Sequence, residues 1–257
     1  MTPNWAVAAG TPELQGQARA LARRADFPLL ALDTEEVPFL LVLTPERLEL
    51  RRTGVGAPGP LYADFVGGAM RRRLRTMGKR SPLGRALGFS RQPPEQVVDA
   101  TAGLGQDGFV IAALGCRITL VERQLPFFLL VENALQRAAL DPSLAPIVQR
   151  ITLVHADARR WLTDLPQEEL PDVIHLDPMY PARKKSALSG KAMQLAQQLA
   201  GKDEDTGELL QVALTSARRR VVVKRPTRAA PIAARQPDFA ITGKKTRYDI
   251  YLAHEQQ

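Results

Sequence analysis

The chain is poor in several residue types, and each shortage excludes something. It holds one cysteine, Cys116, in 257 residues, so an internal disulfide is impossible. A chain of this length buries a sufficient core without one, and sparse cysteine fits a reducing, cytoplasmic setting. Its three histidines, His155, His175 and His254, stand at no metal-ligand spacing, and no Cys/His cluster exists, so no metal is expected. Aromatic residues make up 5%, and Trp5, Trp161 and Tyr62 are too scattered to form a stacking platform. No run approaches the roughly 20 apolar residues of a membrane-spanning helix. The first residues, with Pro3, Pro12 and Glu13, do not read as a secretory signal.

The most informative shortage is of acids. Between Phe65 and Pro94 there is none, while Arg71, Arg72, Arg73, Arg75, Lys79, Arg80, Arg85 and Arg91 supply eight positive charges. An uncompensated run of this kind attracts phosphates and points to RNA or DNA, although a solvated face or linker is its plainer reading. The net charge of the whole chain, +8, points the same way.

The rest of the composition, 45% hydrophobic and 24% charged, suits a soluble globular protein. Residues 1–63 read as a small α+β domain, with a helix near Leu14–Arg24 and strands from Phe39 and Leu48 around Thr44-Pro45-Glu46. Residues 64–94 form a basic connecting segment. Residues 95–257 alternate strand and helix, the pattern of a parallel sheet covered on both faces. Its strands are expected at Val97–Ala100, Arg117–Val121, Ile151–Val154, Asp172–Leu176 and Val221–Lys224. A final antiparallel pair is expected at Phe239–Thr242 and Tyr248–Leu252.

Val97 to Gly108, VVDATAGLGQDG, reads as strand, tight glycine turn and helix start. Gly103 and Gly105 let the backbone approach a ligand, and the N–H groups opening the helix add a polar cradle. An ordinary βα turn is the plainer reading. Further acids stand at successive strand ends. Glu122 follows Gly103 at the roughly 20-residue spacing that places an acid on a ribose diol. Asp157 can accept from an adenine amine, with the Ala158 N–H beside it, and Asp177 tips the fourth strand. Both NAD and S-adenosylmethionine suit such a fold. Asp99 and Asp107, flanking the turn, oppose a pyrophosphate and favour a sulfonium and an ammonium, which selects S-adenosylmethionine.

Asp177-Pro178-Met179-Tyr180 resembles the D/N-P-P-Y/F signature of amino-methyltransferases, with Met179 in place of the second proline. In that chemistry Asp177 and the Pro178 carbonyl accept the two N–H bonds of an exocyclic base amine. They align its lone pair on the methyl group while Tyr180 stacks on the flipped base. Arg183, Lys184 and Lys185 follow, and Lys224 and Arg225 tip the strand Val221–Lys224. With Arg71, Arg72 and Arg73 these are the expected contacts to substrate phosphates. His175 reads as a hydrogen-bonded core residue and Cys116 as packing.

The segments VVDATAGLGQDGFV, GCRITLVER, IHLDPMYPARKKSAL and VVVKRP together resemble the ribosomal RNA small subunit methyltransferase J family. The resemblance runs from about Tyr62 to Tyr251, and more loosely through Val42–Arg51. It implies a class I, Rossmann-like methyltransferase fold with a seven-stranded sheet. It also implies methylation of N2 of one guanosine in 16S ribosomal RNA, with S-adenosylmethionine as cofactor. Cofactor contacts then fall on Gln106, Asp107, Glu122, Arg123, Asp157, Ala158 and Asp177. Three rivals are another amino-methyltransferase (adenine N6 in DNA or a protein glutamine), an NAD-dependent oxidoreductase, and a non-catalytic RNA-binding protein.

Overall fold

The computed structural model describes residues 4–178, 205–243 and 246–253. The chain divides into two compact units, the first built on the residues up to Asp64 together with Gln124–Ala134. In it a three-stranded sheet runs β1 (Trp5–Ala9), β2 (Phe39–Leu43), β3 (Leu48–Arg52), with β1 parallel and β3 antiparallel to β2. Helix α1 (Gln15–Ala25) buries Ala18, Ala22 and Ala25, one narrow face of small residues. Strand β1 is not among the elements the sequence predicts. WAVAA lacks alternating polarity, and its partner β2 lies some 30 residues on, so nothing local announces it.

The second unit begins at Phe65, and the stretch read as a connector holds two helices: α2 (Gly68–Thr76) and α3 (Pro82–Leu87). Their local grammar is sound. The Ser81 side chain accepts from the Gly84 N–H at 3.2 Å, Pro82 opens α3, and Gly88 closes it at φ 101°. On α2 only Met70 is buried, which leaves the arginines on its other faces.

The alternating part follows as β4 (Gln96–Asp99), α4 (Gln106–Ala113), β5 (Arg117–Glu122), α5 (Leu125–Ala139), α6 (Ala145–Val148), β6 (Ile151–His155), α7 (Ala158–Thr163), β7 (Val173–Leu176), α8 (Thr206–Ser216), β8 (Arg220–Pro226), β9 (Phe239–Thr242) and β10 (Thr246–Leu252). The seven-stranded sheet has the order β6-β5-β4-β7-β8-β10-β9. Every pairing from β6 through β8 is parallel, and β10 pairs antiparallel with both β8 and β9. The expected class I sheet with its antiparallel last hairpin is therefore present. Val97, Val98, Ile118, Leu120, Val173, Ile174 and Val221–Val223 are buried, as strands covered on both faces require. The order reverses between β4 and β7, and that switch point places a ligand crevice beyond their C-terminal ends.

Candidate active site

The loop from β4 into α4 has the backbone its glycines suggested. Gly103 (φ 54°) and Gly105 (φ 69°) are left-handed, and Gly105 caps α4. A Cβ on Gly103 would meet nothing nearer than the Thr101 carbonyl at 3.9 Å, so the turn leaves room beside it. Gly108 serves packing: a Cβ there would fall 2.2 Å from Leu120 Cδ2, so only glycine lets α4 lie this close to β5. The loop is tied to its neighbours by backbone bonds from Ala100 N to the His175 carbonyl (3.0 Å) and from Ala102 N to the Val121 carbonyl (3.2 Å). Glu122, at the end of β5, accepts the Gly103 N–H at 2.8 Å. It is only 7% exposed and shapes the glycine turn directly.

Asp177 follows β7 across the switch point. Its backbone N–H donates to Thr101 Oγ1 at 2.6 Å, locking the start of the motif to the glycine loop. No local pattern announces this clamp, because the two residues lie 76 positions apart. Lys224 Nζ lies 2.6 Å from Asp177 Oδ2 and 2.8 Å from Asp107 Oδ2. Arg73, from α2, meets the other oxygen of Asp107 and lies 3.4 Å from the Gln106 side chain. Fully buried His175 completes the cluster, with Nδ1 3.4 Å from Asp99 Oδ1 and Nε2 3.8 Å from Asp107 Oδ2. His175 is the core residue expected, held among charges with Asp99 as the nearest acceptor of its ring.

These charges set one another's protonation. Burial opposes charge on Asp107, but Lys224, His175 and Arg73 outweigh it and hold the carboxyl well below the usual range. Asp177 moves the other way: burial raises it, Lys224 counters, and the Asp107 charge adds to the rise. Burial opposes the Lys224 and His175 cations too, and in each case the surrounding carboxylates win and raise the pKa. Burial, then the Asp107 charge, pushes the Tyr248 phenol up to about 12.

The outer strands present a second cluster. Asp157 caps α7 through the Arg159 N–H (2.9 Å) and is gripped by the Arg159 guanidinium at 3.1 and 2.7 Å. That grip holds its pKa at about 2. Arg159 also reaches Asp205 (3.2 Å) and Glu208 (2.8 Å), and Arg123 donates to Asp205 at 2.7 Å. Ala158, beside Asp157, opens the helix.

Several expected contacts stand elsewhere. A phosphate contact is expected of Lys224 at its strand tip, yet it spans two site carboxylates. Arg225 is 6% exposed, with Nη2 on the Ala230 carbonyl, too buried for a surface role. Arg71 pairs with Asp141 and the Val66 carbonyl, and Arg73 with Asp107, which leaves Arg72 and Arg75 as the exposed arginines of α2. Asp107 favoured a sulfonium on charge grounds, but Arg73 and Lys224 already balance it. Pro178 is buried directly after Asp177. Tyr180, Arg183, Lys184 and Lys185 lie outside the described residues. Cys116 is buried against the Pro94 carbonyl, and burial pushes its thiol up to about 12, consistent with packing. Among the described residues no cluster of His, Cys, Asp or Glu could hold a metal, and no helix is long and apolar enough to cross a membrane.

The crevice fits S-adenosylmethionine by the chemistry of its donors. Left-handed glycines open a turn onto a helix N-terminus, and carboxylates stand at the ends of β4, β5, β6 and β7 where a nucleoside and an amino-acid tail need acceptors. A family model described as "Putative SAM-dependent methyltransferase" matches residues 21–253. Relatives named "Ribosomal RNA small subunit methyltransferase J" are 47% identical in Thioalkalivibrio sulfidiphilus, over 93% of this chain and 94% of that one. The one from Nitrosococcus oceani is 47% identical (98% and 99%), and the one from Coxiella burnetii 42% (98% and 98%). The crystal structure of a SAM-dependent methyltransferase from Neisseria gonorrhoeae matches with a TM-score of 0.74 at 32% identity, covering 98% of this chain and 97% of its own. With its switch-point crevice, its glycine turn and Asp177 locked beside it, this chain belongs to the S-adenosylmethionine-dependent methyltransferases, in the ribosomal RNA small subunit methyltransferase J family.

Proposed function

We propose that the protein transfers a methyl group from S-adenosylmethionine to N2 of a guanosine in 16S ribosomal RNA. The observation that carries this reading is the placement of Asp177. Its side chain keeps 37% of its exposure, while its backbone is clamped to Thr101 in the glycine loop. The acceptor of the amine and the turn that faces the cofactor are therefore one rigid frame.

The cofactor, when bound, supplies an electrophilic methyl group. The residues of this chain do the rest. Asp107, Glu122, Asp157 and the Ala158 N–H, with Gln106 and Arg123, line the strand ends that would hold it. Glu122 acts partly by fixing the Gly103 amide. Asp99, 2% exposed, stands behind the turn facing His175. The Asp177 carboxylate and the Pro178 carbonyl accept from the two amine hydrogens, orient the lone pair and exclude water from it. Tyr180 is assigned the stacking role from its motif position. Phosphates of the substrate meet the exposed Arg72 and Arg75, with the basic stretch at Arg183, Lys184 and Lys185 as a second track.

Mapping modified nucleosides by mass in ribosomal RNA from cells lacking the protein tests this. One N2-methylguanosine in the small subunit should vanish and return with the gene. An unchanged guanosine, with a lost N6-methyladenine in DNA or methylglutamine in protein, would overturn the substrate.

A further inference from the structure

Lys224 is the side chain whose position the proposed reaction has not used. It sits on a central strand, flanked by Val221–Val223, which are all fully buried. Its ammonium lies between the carboxylates of Asp107 on α4 and Asp177 after β7, at 2.8 and 2.6 Å, residues 117 and 47 positions away in sequence. Arg73 from α2 holds the far oxygen of Asp107, so Asp107 is fixed from two sides and in turn fixes the ammonium. The result is a relay of contacts that ends on one oxygen of Asp177.

We propose that Lys224 is a positioning residue for methyl transfer: its ammonium aims the Asp177 carboxylate at the incoming amine and supplies the counter-charge beside it until the amine gives up a proton. This rests on the assignment of Asp177 as the amine's acceptor. The nitrogen lone pair forms the new N–C bond, and the electron pair of the broken C–S bond stays on sulfur. The positively charged nitrogen then passes one proton to a lone pair of Asp177. That step needs a carboxylate, and packing of protein around Asp177 works against one. The charged and titratable groups facing it are Asp107 (α4), His175 (β7) and Tyr248 (β10), with Asp99 (β4) behind His175 and Arg73 (α2) behind Asp107. Lys224 is the cation in direct contact with Asp177 among the described residues. Without it, neighbouring acids and burial would favour the protonated form.

The test compares Lys224→Met, Lys224→Arg and Asp177→Asn, alone and combined, by single-turnover transfer to small-subunit RNA between pH 5 and 9. Lys224→Met should lower the transfer rate about 10- to 100-fold. Its acid limb should move up by about one pH unit or more, with substrate KM little changed. Lys224→Arg should restore most of the rate. In the Asp177→Asn background, which keeps an acceptor and removes the charge, Lys224→Met should cost less than about 2-fold. An unmoved acid limb, or an equal loss in both backgrounds, would overturn the proposal. Circular dichroism and melting confirm folding, and Lys224→Gln replaces the Met variant if that one unfolds. Asp177→Ala at wild-type rate would instead sink the underlying acceptor assignment, whatever Lys224 does.

Discussion

The two halves of the sheet's C-terminal edge solve different electrostatic problems. Around β4, β7 and β8, Asp99, Asp107 and His175 are buried, and their charges are balanced within a few ångströms. Around β5 and β6, the grip is by arginines near solvent: Arg159 side chains keep 31% exposure and Arg123 35%. A buried pair broken on one side leaves an uncompensated charge in a poor solvent, whereas an exposed pair is replaced by water. The inner half is therefore suited to holding groups in one geometry for reaction. The outer half is suited to recognising a ligand that must come and go.

That contrast can be broken at its strongest point first. Asp177→Ala should lower turnover by about 100- to 10,000-fold with a nearly unchanged melting temperature, since its side chain is partly exposed. Near-normal turnover would remove the acceptor from the inner half. Asp107→Asn should cost about 3 kcal/mol in denaturant unfolding, because Arg73 and Lys224 lose their shared counter-charge. The sign with pH follows from the lowered folded pKa: this stabilisation is complete above the ordinary carboxylate range, near pH 4, and is lost as pH falls below it. The gap between wild type and variant should therefore close in acid.

Smaller effects sharpen the outer side of the comparison. Arg72→Glu with Arg75→Glu should weaken RNA binding about 10-fold at low salt and flatten the salt dependence, leaving cofactor affinity unchanged by calorimetry. Asp157→Ala removes a helix cap and a nucleoside acceptor. It should cost about 1 kcal/mol of stability and raise the cofactor Kd about 10-fold, with the maximal rate retained. Its native pKa of about 2 means the stability share is lost between about pH 4 and 2. Arg24→Ala, in the first unit, breaks a fork on Glu132 at 2.6 Å, but Arg24 is 52% exposed, so less than about 1 kcal/mol should be lost.

What the sequence made legible follows from range. The glycine turn, the strand alternation and the acids at strand ends are local patterns, and each lies where its spacing put it. The helices α2 and α3 were hidden because eight charges without acids mimic a solvated run, while Ser81, Pro82 and Gly88 carried the overlooked helix signal. Lys224 reads as a surface cation at a strand tip because both of its partners are remote in sequence. His175 could be read as core but not as a charged neighbour of Asp99 and Asp107. That requires knowing that β4 and β7 are adjacent, a property of the topology alone.

The bond from the Asp177 amide to the Thr101 hydroxyl makes chain length itself a constraint. Adding or removing one residue on either side of the switch point would carry the donor or the hydroxyl roughly 3 Å away and part them. Surface connections elsewhere have no such gauge. Thr101→Ser would keep the gauge and Thr101→Val would lose it, so the mildest change in this loop is also the one that asks whether the two turns are built to a common measure.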